Sequence, residues 1–327
     1  MKAIAIREVG GPEVLELVER PAPEPGPGEI RVAVRATALN RADLIQRRGF
    51  YPAPPDSPAD VPGLEFAGEV EAAGPGVREH AVGDRVFGIL GGGGYSEKVV
   101  THARMAAKVP AHLSWEEAAA IPEVFITAHD ALFTQAGLGL GETVLIHAVA
   151  GGVGTAAVQL AHRAGAITLG TAGSAAKLER ARALGLQVGI DRTAGDLAKS
   201  VREATGGAGV HVVLDTVGPG YWEANLASLA RCGRMVLIGL LDMTPANLRA
   251  DLLLNKRLTV RGSVLRSRPL EEKIAATQAF ARAVLPLLES RQVVPVIDRV
   301  FALDEARAAH EYMERNANVG KIVLRVG

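Results

Sequence analysis

Hydrophobic and polar positions follow one rhythm at the two ends of the chain and another in its middle. Residues 1 to about 110 form short apolar runs, at 29–36, 66–72, 85–89 and 96–99, cut by Pro25-Gly26-Pro27-Gly28, Gly74-Pro75-Gly76 and Gly83-Asp84. Short strands separated by such turns predict a partly closed β-barrel. From about 120 to 262 the pattern changes. Apolar strands at 143–148, 167–171, 187–190, 210–215, 234–239 and 258–262 alternate with helical stretches such as 176–184 and 196–205. That alternation predicts a parallel sheet covered by helices on both faces. The tail reads as a long helix over 271–290, a strand, a helix from Asp304 and a last strand over 321–326. It is assigned to the first domain, so the middle is an insertion. Residues 1–122 and 265–327 then form one domain and 123–264 the other, with a ligand cleft expected between them.

The run His147-Ala148-Val149-Ala150-Gly151-Gly152-Val153-Gly154 follows an apolar segment and opens an amphipathic one at 155–164. Strand, glycine turn, helix is the order that a dinucleotide site needs. Glycines let the backbone approach a pyrophosphate, and the helix N-terminus offers free N–H groups and partial positive charge. The consensus begins with glycine, and Ala148 stands in that place. The second strand ends in Thr171-Ala172-Gly173-Ser174, without the acid that would bond the ribose 2′-OH of NAD. Lys177 and Arg192 reach the same corner, so the pattern predicts NADPH; the alternative is that both are solvated surface charges.

Composition narrows the classes. The 36 basic and 36 acidic residues cancel, so net charge draws the chain neither to nucleic acid nor to an anionic membrane. No apolar run reaches the ~20 residues of a membrane span, and residues 1–7 do not read as a signal peptide. The single cysteine, Cys232, forbids an intrachain disulfide, and a cytoplasmic protein is expected. One cysteine and eight histidines without H-x-x-H or H-E-x-x-H spacing predict no metal site. No Gly-x-Ser-x-Gly elbow is present at a strand-to-helix turn. What remains is a metal-free reductase whose cofactor carries the reaction. The proline-rich stretch 52–58 fits either a lid or an inert surface loop, and Gly91-Gly92-Gly93-Gly94 reads as a flexible turn.

A wider set of motifs carries a family resemblance. These are Gly11-Pro12-Glu13-Val14-Leu15, Asn40-Arg41-Ala42-Asp43, Gly63-Leu64-Glu65-Phe66-Ala67-Gly68, Gly83-Asp84-Arg85-Val86, Ala119-Ala120-Ile121-Pro122-Glu123, the glycine loop and Gly320-Lys321-Ile322-Val323-Leu324. With them the whole chain resembles the zinc-free, zeta-crystallin-like quinone oxidoreductases of the medium-chain dehydrogenase/reductase superfamily. Tyr221-Trp222-Glu223 with Asn225, and Leu265-Arg266-Ser267-Arg268, point to the apoptosis-associated branch. The resemblance implies an α/β fold: a GroES-like, partly closed β-barrel domain plus a doubly wound Rossmann domain with a six-stranded parallel sheet. It also implies a homodimer, NADPH, and reduction of quinones or other conjugated carbonyls. Zinc-containing relatives carry cysteine where Asn40 stands and histidine where Leu64 stands.

Carried onto this sequence, the resemblance puts Asn40 near the nicotinamide and Thr127 beside its end. It puts Ala150, Gly151, Gly152 and Val153 at the pyrophosphate, and Gly173, Ser174 and Lys177 at the 2′-phosphate. Val217, Gly218, Gly239, Val264 and Leu265 would line the ribose and nicotinamide walls. The family commonly has Asn-Tyr at the end of the third strand; here it is Asp191-Arg192, where Arg192 can stack on adenine or pair with phosphate and Asp191 works against it.

A quinone accepts hydride without metal help, and the developing oxyanion still gains from a hydrogen-bond donor. Tyr51 is the first candidate, next to the proline-rich loop, with Asn40 and Arg41 behind it. The competing reading of Tyr51 is an exposed loop aromatic, and of Arg41 a structural ion pair with Asp43 or Glu65. Two rival functions stay open: an enoyl or alkenal reductase, and an NADPH-binding protein with a structural or RNA-binding role. Zero net charge and the lack of a basic, aromatic-rich stripe count against RNA.

Overall fold

The computed structural model describes residues 1–327. They divide into two compact units, Met1–Ile126 with Leu265–Gly327, and Thr127–Val264.

The first unit is built on the long strand Glu29–Ala38. Its Ile30, Val32, Val34 and Ala36 alternate inward, the period-two pattern of a sheet with one buried face. Antiparallel to it run Glu65–Ala73 on one side and, beside its later residues, Lys321–Arg325, which brings the chain's tail into this sheet. Lys98–His102 also pairs with Glu29–Ala38, by its first half. Arg85–Ile89, Ala106–Lys108 and Ile297–Ala302 complete the sheet, while Lys2–Ile6 and Leu15–Glu19 make a separate hairpin. Ile30, Val32, Phe66, Val86, Tyr95, Ile322 and Leu324 share one core.

The second unit is a six-stranded parallel sheet. Its order is Val188–Asp191, Ile167–Ala172, Thr143–Ile146, Val210–Asp215, Leu229–Leu237, Thr259–Gly262. The two central strands, Thr143–Ile146 and Val210–Asp215, are buried almost throughout, as helices on both faces require. The fifth strand starts five residues earlier than its apolar pattern suggests. A bulge carries Cys232 at φ 59° and breaks the alternation there, so only the part from Arg234 onward reads as strand. The sequence reading also passed over the helices Arg41–Arg47 and Pro122–His129, the latter continuing as a π-helical turn over Asp130–Gln135. No helix of the chain is long and apolar enough to cross a membrane.

Gly91 to Gly94 are buried, which corrects the expectation of a flexible turn. A Cβ on Gly91 would stand 2.2 Å from the Ser57 hydroxyl, and one on Gly94 2.7 Å from the Glu65 carbonyl. These glycines are there for close packing against the proline-rich loop and the strand Glu65–Ala73.

Candidate active site

In the second unit the expected nucleotide residues gather where the parallel strands end, the edge at which doubly wound sheets bind ligands. The strand Thr143–Ile146 runs into the glycine loop, and Gly151 caps the helix Gly152–Arg163. No side chain caps that helix and no acid stands in its first turn. Its first N–H groups are therefore open to an anion. A Cβ on Gly154 would lie 2.3 Å from the Ala148 carbonyl oxygen and 2.6 Å from the Val149 Cα, so only glycine fits. Ala148, in the consensus glycine position, sits at φ 48°. An alanine held there costs about 1 kcal/mol that a glycine would not.

The second strand, Ile167–Ala172, hands over to Gly173 and to Ser174, whose hydroxyl caps the helix Ala175–Arg182 by accepting from the Lys177 N–H. The Arg192 guanidinium lies directly over Gly173; a Cβ there would be 2.9 Å from Arg192 Nε. Asp191 turns away into its own turn, where its Oδ1 accepts from the Thr193 N–H at 2.8 Å and the Thr193 hydroxyl at 2.7 Å. These bonds hold its carboxyl below the usual range and fix its Oδ1 on Thr193. Val217, Gly218 and Gly239 meet at the ends of the fourth and fifth strands, next to a buried Thr216 hydroxyl that lacks a hydrogen-bond partner. An orphaned hydroxyl, an open helix end and a glycine cradle are what a bound dinucleotide would complete, so the residues fit the cofactor. Val264 is exposed and Leu265 buried.

A buried polar network braces this edge. Asp215 Oδ1 accepts from the Val217 and Gly218 N–H groups at 2.7 and 3.0 Å, and its Oδ2 from Asn225 Nδ2 at 3.0 Å. Asn225 Oδ1 therefore receives a hydrogen bond from His147 Nε2 at 2.7 Å, and His147 Nδ1 accepts from the Thr171 hydroxyl at 3.0 Å. Burial keeps this imidazole below its ordinary pKa against the pull of Asp215, which suits a neutral ring. Three strand ends are thereby fixed to one another. The glycine motif shows none of this, although His147 and Asn225 were both inside motifs that the sequence singled out.

In the first unit a second cluster forms around Glu65. Asn40 Nδ2 donates to Glu65 Oε1 at 2.8 Å. Lys321 Nζ donates to Glu65 Oε1, to Asn40 Oδ1 and to the Leu39 carbonyl, each at 2.7 Å. The Glu123 N–H donates to Glu65 Oε2 at 2.8 Å. Both Glu65 and Lys321 are buried, and each is fully partnered, as a buried ion pair must be. Asn40 also opens the helix Arg41–Arg47, its N–H bonded to Asp43 Oδ2 at 2.7 Å. Its side chain is thus held in one pose from both ends. Arg41 makes neither of the ion pairs weighed for it. Asp43 and Glu65 are taken by other donors, and the Arg41 guanidinium donates to Asn316 Oδ1.

Tyr51 is half-buried. The Arg266 guanidinium sits 4.8 Å from its ring centre and donates to the Tyr51 carbonyl at 3.0 Å, to Gly91 O at 2.6 Å and to Gln46 Oε1 at 2.7 Å. Arg266 thus clamps the start of the proline-rich loop, and Lys273 reaches Asp56 further along it at 3.5 Å. No hydrogen bond within the chain ends on the Tyr51 hydroxyl. Burial, with the charge of Glu123 next, pushes that hydroxyl up to about 12, so it remains a donor. Sequence reasoning missed Glu65, Lys321 and Arg266 as parts of one site. Each lay in a quoted motif, yet Lys321 is 256 residues from Glu65. No group of three His, Cys, Asp or Glu residues is placed to hold a metal ion.

A sheet in this order with an open glycine helix at its switch point defines a dinucleotide-dependent enzyme fold. Residues 152–282 match the zinc-binding dehydrogenase family, and residues 26–111 the alcohol dehydrogenase GroES-like domain. The chain belongs to the medium-chain dehydrogenase/reductase superfamily, with quinone oxidoreductases among its homologues. It is 38% identical over 330 residues to a quinone oxidoreductase of Pseudomonas aeruginosa, covering 99% of both proteins. The structure matches Escherichia coli quinone oxidoreductase complexed with NADPH at a TM-score of 0.89, with 34% identity over 99% of this chain and 100% of that one. It matches the CurK enoyl reductase at a TM-score of 0.86, with 29% identity over 100% and 99% of the two chains. The protein is therefore an oxidoreductase with a GroES-like and a Rossmann-like domain.

Proposed function

We propose that this chain is a metal-free NADPH:quinone oxidoreductase acting as a homodimer. The observation that carries the reading is the nucleotide corner. Arg192 covers Gly173, Ser174 and Lys177 open the next helix, and the one nearby carboxylate, Asp191, is bound into its own turn. That set favours a 2′-phosphate over a bare ribose. In this reading the first turn of Gly152–Arg163, with Ala150 and Val153, holds the pyrophosphate, and Thr127, Val217, Gly218, Gly239, Val264 and Leu265 hold the ribose and nicotinamide. NADPH, when bound, supplies the hydride. Asn40 fixes the nicotinamide end through its locked amide, and the Tyr51 hydroxyl donates to the acceptor oxygen as negative charge develops there. A quinone needs no Lewis acid for this, because the charge that develops is delocalised over its ring.

The strand Thr259–Gly262 has a neighbour on one side only, an edge able to pair with a second copy. Sedimentation at micromolar concentration should give a dimer, and a monomer would remove the pairing. The likeness to an enoyl reductase favours a second reading, hydride addition to an α,β-unsaturated carbonyl. Steady-state rates on an ortho-quinone and on an enal separate the two. Tyr51→Phe is expected to lower kcat/KM for the quinone about 10- to 100-fold, the worth of one hydrogen bond to an oxyanion. An unchanged value removes the hydroxyl from the mechanism.

A further inference from the structure

The helix Pro122–His129 carries an acid that neither the fold nor the nucleotide seat employs. Along it Val124, Phe125, Ile126 and Ala128 are buried, and Glu123 and Thr127, one turn apart, remain accessible. The Glu123 backbone is fixed by its N–H bond to Glu65 Oε2 at 2.8 Å, yet its carboxyl makes no hydrogen bond or ion pair within the chain. The charges acting on it are Glu65 and Lys321 on two strands, Asp43 on the helix Arg41–Arg47, and Arg266. The charge of Glu123, second to burial, in turn raises the pKa of the Tyr51 hydroxyl.

Both cations are already committed. Lys321 spends its three N–H donors on Leu39, Asn40 and Glu65, and Arg266 gives three of its five to Gly91, Tyr51 and Gln46, with none to Glu123. A half-buried carboxyl beside two further carboxylates, with no cation hydrogen-bonded to it, is an acid poised to hold a proton. Burial first and Glu65 second push it up to about 8. Tyr51, whose hydroxyl holds its proton until about 12, is the weaker acid of the two.

We propose that Glu123 is the proton donor of the reaction, delivering to the acceptor while Tyr51 holds the acceptor oxygen by a hydrogen bond. The inference rests on the reductase reading above. A reduced nicotinamide supplies the hydride, two electrons with one hydrogen nucleus, and leaves the quinone as an oxyanion. The Glu123 O–H bond then breaks as the acceptor O–H bond forms, giving the hydroquinone, and the carboxylate recovers its proton from water. With an enal the same proton goes to the α-carbon of the enolate.

Two measurements on the full-length protein test this. In the nucleotide-free enzyme, infrared spectroscopy should show a protonated glutamate carboxyl at neutral pH that titrates away near pH 8 and is missing in Glu123→Gln. A glutamate already ionised at neutral pH, or a band unchanged in the variant, overturns the proposal whatever the enzyme's substrate. In turnover with NADPH and an ortho-quinone, kcat/KM should fall as pH rises through about 8. Glu123→Gln should lose that limb and about 100-fold in rate, the usual worth of a positioned acid. Glu123→Asp should keep the limb at a reduced rate. Calorimetric NADPH binding should stay unchanged in both variants. A Gln variant with normal rate and the limb intact overturns the proposal. If the native enzyme oxidises NADPH with neither quinone nor enal, the reductase reading fails instead, and the infrared titration still decides the state of Glu123.

Discussion

A single glycine shows how tightly the nucleotide edge is drawn. A methyl group on Gly154 would enter the space of the Ala148 carbonyl and the Val149 backbone. Gly154→Ala should therefore shift the loop, cost about 2 kcal/mol in urea unfolding, and weaken NADPH binding by more than tenfold in calorimetry. Wild-type affinity in that variant would mean that the loop does not seat the nucleotide. Arg192 supplies the complementary test on the other side of the seat. Arg192→Ala should raise the Kd for NADPH about tenfold and leave NADH unchanged, because the contact proposed for it is a charge-assisted bond to a 2′-phosphate. Equal losses for both cofactors would place Arg192 on adenine instead. The glycine loop, Ser174 and Lys177 were readable because they are neighbours in sequence. The binding of Asp191 to Thr193 was not, since a side chain's choice between a turn and a ligand leaves no trace in spacing.

Elements meet in the first unit through a directional chain of buried hydrogen bonds. Arg47 Nη1 can only donate, so His310 Nδ1 accepts from it at 3.2 Å. His310 Nε2–H then donates to the Tyr95 hydroxyl at 3.2 Å, and that hydroxyl donates to Asp43 Oδ2 at 3.2 Å. The chain joins the helices Ala306–Glu314 and Arg41–Arg47 through the Tyr95 loop. It demands a neutral imidazole, and burial, then Arg47, lowers His310 to about 3. Unfolded histidine takes a proton near its ordinary pKa while the folded form refuses it down to about 3, so this group's contribution is full above about 6.5 and is lost as pH falls. Asp43 has the opposite sign: burial raises it to about 6, so its contribution favours the folded form on the acid side. His310→Gln retains a donor and an acceptor but cannot titrate. The stability advantage of the native protein over that variant should shrink by about 2 kcal/mol between pH 7 and pH 5 in urea unfolding. A difference independent of pH would show that the histidine is not held neutral. Elements of this kind were the least readable. Short helices such as Arg41–Arg47 lack the length for a clear period, and the contacts that matter lie 215 to 263 residues apart. The six parallel strands were readable because each is an apolar run between helices, and the fifth was shortened only where its bulge interrupts the pattern.

At the scale of the whole chain, one unit holds an uncapped glycine helix at the end of a parallel sheet, and the other a Glu65–Lys321–Asn40 cluster and a tyrosine clamped by Arg266. The central claim is that NADPH reduces a quinone here without a metal. Stopped-flow oxidation of NADPH by an ortho-quinone, run with and without a strong chelator, tests it most directly. The account predicts fast oxidation at the same rate in both, faster than with NADH. No oxidation with any quinone, or a rate abolished by the chelator and restored by zinc, would contradict it.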